Sequence, residues 1–125
     1  HYIKIAIERQ KDASTSAALG RLITDRIMLL GIYDNQKRWA ESEQLTKEIL
    51  LQAANYPDLH WCWISMHCAL GKCYSRRGQF DLSDSEYRKA IAVAKQFSGA
   101  SSEFYTACQQ AMKMNAEQKR KQKRH

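Results

Sequence analysis

Apolar positions recur along the chain with the period of a helix, in blocks separated by short polar breaks. Leu59, Trp63, Met66, Leu70 and Tyr74 lie three or four residues apart, and so do Phe80, Ser83, Tyr87, Ala90, Ile91 and Ala94. That spacing places each set on one side of a helix, the side that must find apolar cover. Gly78 stands between the sets, interrupts the pattern and marks a turn. The block therefore predicts two helices folded back on each other, one over 58–77 and one over 80–97. Pro57 and Asp58 mark the start of the first, because proline suits an opening helical turn and aspartate caps its N–H groups.

The same order occurs 41 residues earlier. Leu29 matches Leu70, Tyr33 matches Tyr74, Trp39 matches Phe80, Ser42 matches Ser83, Thr46 matches Tyr87, and Ile49-Leu50 falls on Ala90-Ile91. A first hairpin with helices over 15–36 and 39–54 follows. The series Leu22, Trp63, Phe104 carries the pattern into a last helix over 100–118, with Cys108, Ala111 and Met112 on its apolar side. At the amino end Tyr2, Ile5 and Ala6 match Tyr87, Ala90 and Ile91, and the first residue is His1. Residues 1–13 are thus expected to end a preceding helix, and the chain to be a processed product or a piece of a longer one. The expected divisions are 1–13, a degenerate repeat over 14–55, a second repeat over 56–98, a capping helix over 99–118 and a basic tail over 119–125. A helical hairpin cannot bury both of its faces alone, so repeated hairpins stack into a solenoid.

Leu70-Gly71-x-x-Tyr74, then Gly78-x-Phe80, Ser83, Tyr87 and Ala90, resembles a tetratricopeptide repeat, and the resemblance extends over essentially the whole chain. The long first helices, the period and the linker Tyr56-Pro57-Asp58 are most similar to the subtype of kinesin light chains and of spindle-orientation scaffolds. The resemblance implies an all-α fold of antiparallel helical hairpins stacked as a short right-handed α-solenoid. The first unit departs from the pattern, with Leu30 where Gly71 stands in the second, Lys37 for Gly78, Thr46 for Tyr87 and Ile49 for Ala90. Larger residues at such places predict wider or tilted helix packing. Ser42 and Ser83 occupy the place of the family's small Ala, and each hydroxyl is expected to bond back to the carbonyl one turn earlier.

In this family the first helices line a concave groove that binds peptides. Carried over by position, the groove residues are Thr24, Ile27, Gly31, Asp34 and Asn35 in the first unit and Ser65, Cys68, Lys72, Ser75 and Arg76 in the second, with Thr106, Gln109 and Lys113 on the last helix. Lys72, Arg76 and Lys113 make that half of the groove positive, suited to an acidic or phosphorylated extended segment or to an apolar anchor beside an acid. The clamp for chaperone carboxyl-terminal tails needs a Lys and an Asn one turn apart, and the equivalent pairs here are Ile27 with Gly31 and Cys68 with Lys72. The implied function is a scaffold that binds a protein partner, either a peptide segment or a neighbouring subunit.

Charge adds an alternative. The chain carries +7, but Lys119, Arg120, Lys121, Lys123 and Arg124 supply five of those charges, and residues 1–118 hold 15 basic against 13 acidic side chains. The basic tail is a solvated helix end, a nuclear-import or acidic-partner tag, or a nucleic-acid contact, the last making the protein a nuclear or nucleic-acid-associated accessory. No aromatic platform sits beside it, so RNA recognition beyond phosphate attraction is not supported.

The remaining chemistry is sparse. His60, Cys62, His67, Cys68 and Cys73 crowd into fourteen residues, but helical spacing puts Cys62 and Cys73 with Met66 and Ala69 and turns Cys68 away. No metal and no cofactor is expected, and the four cysteines read as buried, reduced thiols of an intracellular protein. Trp63 reads as core and Trp61 as an exposed contact. With no nucleophile elbow, P-loop or dinucleotide turn, an enzyme is not expected. No stretch is apolar enough to cross a bilayer, and the expected place is the cytoplasm, or the nucleus if the tail directs import.

Overall fold

The computed structural model describes residues 16–97 and 101–123, and every regular element among them is helical. In chain order these are α1 (Ser16–Asn35), α2 (Trp39–Ala53), a 3-10 turn (Pro57–Leu59), α3 (His60–Arg76), α4 (Phe80–Phe97) and α5 (Ser102–Lys123). The helices expected over 15–36, 39–54 and 80–97 are present within a residue. Two boundaries differ. The segment opening at Pro57 is first a 3-10 turn, with Leu59 N–H donating to Tyr56 O at 2.8 Å, and the α-helix begins at His60. The last helix runs on to Lys123 rather than stopping at 118, so the basic residues expected in a separate tail extend α5. The expected helix end over 1–13 lies outside the described residues.

The chain divides into two compact units, residues 1–59 and 60–125. In the first, α1 and α2 enclose Leu22, Ile23, Leu30, Leu45, Ile49 and Ala53, and Leu59 is buried with them. Arg26 reaches across from α1 to α2, donating to Gln52 Oε1 at 2.6 Å and to Glu48 Oε2 at 3.2 Å. In the second, Cys62, Met66, Leu70, Cys73 and Tyr74 of α3 are buried, as are Phe80, Tyr87, Ala90 and Ala94 of α4 and Cys108 of α5.

Both hairpin turns are built the same way. After α3, Gly78 N–H donates to Ser75 O at 3.1 Å and Gln79 N–H to Tyr74 O at 2.8 Å; after α1, Lys37 N–H donates to Asp34 O at 3.0 Å and Arg38 N–H to Tyr33 O at 2.9 Å. Each pair shifts onto the other by 41 residues. These are the two bonds of a Schellman cap, which requires a left-handed residue at its centre. Gly78 supplies it at φ 75°, and Lys37 adopts it at φ 57° despite its side chain.

α3 and α4 touch at Gly71. A Cβ there would lie 2.8 Å from the Tyr87 ring, closer than carbon atoms approach. The same carbonyl accepts a 2.7 Å bond from Ser83 Oγ. This corrects the expected bond back along α4: the hydroxyl crosses to α3, because close approach leaves that carbonyl within reach while the bulk of Tyr87 keeps water out. Ser42 likewise crosses, donating to Asp34 Oδ1 at 2.7 Å, and the bond back one turn is made instead by Thr46 Oγ1 to Ser42 O at 2.7 Å.

Gly71→Ala should destabilise the fold by about 1–3 kcal/mol through overpacking, whereas Gly31→Ala, with nothing within 4 Å of the added carbon, should stabilise by about 0.5–1 kcal/mol. Lys37→Gly should stabilise by about 1 kcal/mol by relieving the left-handed turn. Urea unfolding followed by circular dichroism measures all three.

Candidate functional site

On α3 the residues Ser65, Cys68, Lys72 and Arg76 follow one another at intervals of three and four, and so form one stripe of the helix. Ser65, Lys72 and Arg76 are exposed, and Cys68 is half-buried. On α5, Thr106, Gln109 and Lys113 make a second exposed stripe at the same intervals. Two links join the helices. Ser75 Oγ donates to Asn115 Oδ1 at 3.0 Å, and the Cys68 thiol lies next to that of Cys108. Each link spans 40 residues, and the two lie seven residues apart on both helices, so α3 and α5 run parallel in a constant register.

Asn115 closes the joint. It is 2 % exposed and donates from Nδ2 to Ser83 Oγ and to Asp84 Oδ1, both at 2.8 Å. Asn115, Ser83 and the Gly71 carbonyl therefore form a continuous chain of bonds through α5, α4 and α3. A buried amide with its bonds made stiffens the packing it joins, and the same amide left unsatisfied is costly.

The structure sorts the sequence candidates into two groups. Lys72, Arg76, Gln109 and Lys113 are exposed in the second unit, as are Thr24 and Asn35 in the first, while Ile27 is half-buried. Thr24 spends its hydroxyl on Gly20 O at 2.9 Å. Three others are partly buried and meet a neighbouring helix. Asp34 accepts the Ser42 bond, Ser75 is held by Asn115, and Cys68 faces Cys108. In each case a polar atom pointing at a neighbouring helix is better satisfied there than by a ligand.

All four cysteines carry thiols. Burial pushes Cys62 from its ordinary 9.0 up to about 11. Burial likewise pushes Cys68 up to about 12, the adjacent Cys108 adding to the rise and Lys72 opposing it. Burial raises Cys108 as well, and carries Tyr87 from 10.0 to about 12. Thiolate is then scarce at neutral pH, and these groups act as packing. Trp61 is exposed, as expected; Trp63 is half-buried and packs edge-on against Phe97 with centroids 5.4 Å apart.

Of the basic residues expected in a tail, Lys119 is tied to Asp81 by a 2.7 Å ion pair, Arg120, Lys121 and Lys123 are exposed on α5, and Arg124 lies outside the described residues. None of the described helices is long and apolar enough to cross a membrane.

Asn115→Ala removes three hydrogen bonds, one of them to the buried Ser83, and should cost about 2–4 kcal/mol of stability, while Gln109→Ala on the exposed stripe should change it by no more than about 0.5 kcal/mol; chemical denaturation separates them. Cys62, Cys68 and Tyr87 stay neutral in the fold over a range where the unfolded chain ionises. Their contribution is complete below pH 9.0 and disappears as pH rises through the interval ending at about 12. Thermal melts between pH 8 and 11 should fall accordingly, and less steeply in Cys62→Ala than in the parent.

No protein-family model, curated protein or solved structure matches this chain.

Proposed function

We propose that the chain is an interaction module of tetratricopeptide type, which holds an extended acidic segment of a protein partner along α3 of its second unit. The observation that carries the proposal is the parallel, in-register pairing of α3 with α5 in the second unit, beside which Lys72 and Arg76 stand exposed one turn apart on α3. The twin Schellman turns, displaced by 41 residues, support a repeated hairpin as the unit of construction.

The chemistry follows from the exposed side chains. Lys72 and Arg76 stand one turn apart and offer ammonium and guanidinium donors to carboxylates, the guanidinium in a bidentate fork. Gln109 adds an amide able to meet a peptide backbone, and Lys113 a third cation. Charges placed this way speed encounter and select acidic partners more than they deepen affinity. The role is binding, and the partner is a protein in the cytoplasm or nucleus.

An array of acidic peptides probed with the full chain tests this. Binding should weaken about tenfold or more on Lys72→Glu with Arg76→Glu, through loss of attraction and gain of repulsion, and should fade as salt is raised. Peptide binding indifferent to that double reversal refutes the α3 stripe as the site.

A further inference from the structure

A separate place in the second unit has the features of a docking site. The turn between α3 and α4 and the far end of α5 border an open cleft of about 300 Å³, lined by Gly78, Gln79, Phe80, Asp81, Leu82, Lys119 and Gln122. Gln122 lies directly on the turn, its Nε2 3.0 Å from where a Gly78 Cβ would stand. Phe80 is buried, whereas Leu82 is half exposed and offers an aliphatic surface beside the hollow.

The electrostatics are one-sided. Asp81 is fully open to solvent, yet Lys119 holds its carboxyl below the ordinary value, with Lys123 and Arg88 acting in the same direction from further away. Lys119 thus contacts the carboxylate, and Lys123, one turn further along α5, and Arg88 act on it from a distance. The 2.7 Å contact between Lys119 Nζ and Asp81 Oδ1 displays the bond that a ligand's carboxylate would make. The two glutamine amides supply both donors and acceptors, which suits a peptide backbone, and no exposed aromatic ring lines the cleft for a nucleobase to stack on.

We propose that this cleft is a second binding site, distinct from the α3 stripe, which takes an acidic peptide segment with one large aliphatic side chain. The aliphatic group enters between Leu82 and Lys119 and covers the exposed leucine, and carboxylates on either side of it pair with Lys119, Lys123 and Arg88. Asp81 competes with the ligand for Lys119, so the site is held below its full affinity by its own acid.

The test uses the full chain and fluorescence polarisation of a labelled peptide, Glu-Glu-Glu-Leu-Glu-Glu-Glu, its Leu→Ser counterpart and an oligouridine of similar charge. The leucine peptide should bind about tenfold more tightly than the serine peptide, since the aliphatic group is buried. Leu82→Ser should abolish that preference. Asp81→Asn should strengthen binding about two- to tenfold by releasing Lys119, an effect that a purely structural ion pair would not produce. Lys72→Glu with Arg76→Glu should leave the preference for leucine intact. Failure of the leucine peptide to bind, equal binding of both peptides, tighter binding of the oligouridine, or weaker binding by Asp81→Asn each overturns the proposal. Loss of binding on reversing Lys72 and Arg76, with Leu82→Ser unaffected, overturns it too while assigning the peptide to the α3 stripe.

Discussion

Everything in the second unit depends on how closely α3 and α4 approach at Gly71. The Tyr87 ring occupies the volume that any side chain at position 71 would need. That proximity brings the Gly71 carbonyl within 2.7 Å of the Ser83 hydroxyl, and Ser83 in turn accepts from Asn115. A contact defined by sterics thus determines where polar groups can be satisfied, and those bonds decide where the third helix rests. The arrangement is sensitive to change because each atom has little slack: interiors pack as densely as organic crystals, and a buried amide without its partners incurs its full desolvation penalty.

The first unit reaches a related hairpin with different residues. Leu30 stands for Gly71 and Thr46 for Tyr87, and all four positions are buried. Bulk has moved from the second helix to the first, so volume is roughly conserved across the pair while its distribution is inverted, a change that cores tolerate well. The cross-helix serine persists but changes partner. Ser42 finds the Asp34 carboxylate, whereas Ser83 finds a backbone carbonyl. The turn persists as well, with Lys37 accepting a strained backbone that glycine adopts freely. What the repeat preserves is therefore the geometry of the hairpin and its turn, not the identity of the side chains that fill it.

That distinction explains what could be foreseen from the chain. Helix positions and turns were legible because spacing and glycine placement report local backbone preferences, and local preferences here agree with the packing. The partners of polar side chains were not, because they depend on which helix lies opposite. Asp34, Ser75 and Cys68 occupy groove positions by analogy, but each meets a neighbouring helix. Asn115 went unnoticed altogether. Its signal was present: it continues the apolar side of α5 after Cys108, Ala111 and Met112, and a lone amide on such a stripe demands buried partners. The end of α5 was misjudged for another reason. A run of like charges reads as a tail when considered alone, whereas Lys119 is drawn into the fold by Asp81, on an element that lies nearby only in three dimensions.

The disposition of acids then accounts for the charge that remains. Residues 60–125 hold twelve Lys or Arg against five Asp or Glu, while residues 1–59 hold eight of each. On α4 every acid is engaged internally: Asp81 with Lys119, Asp84 with Asn115, and Glu86 with His67 at 2.8 Å and Lys89 at 2.9 Å. Three of the five carboxylates of the second unit are thus engaged within it, each with a partner on another helix. An acidic partner meets cations whose local counter-charges are already occupied, and it need not compete for most of them. The exception is Asp81, whose pair with Lys119 is exposed and loses to an incoming carboxylate at little cost, because a solvent-exposed ion pair contributes little to begin with. Structural use of acids on the inner surfaces and surplus cations on the outer ones are consequently two sides of one arrangement: the packing that fixes the helices also sets the sign of what they attract.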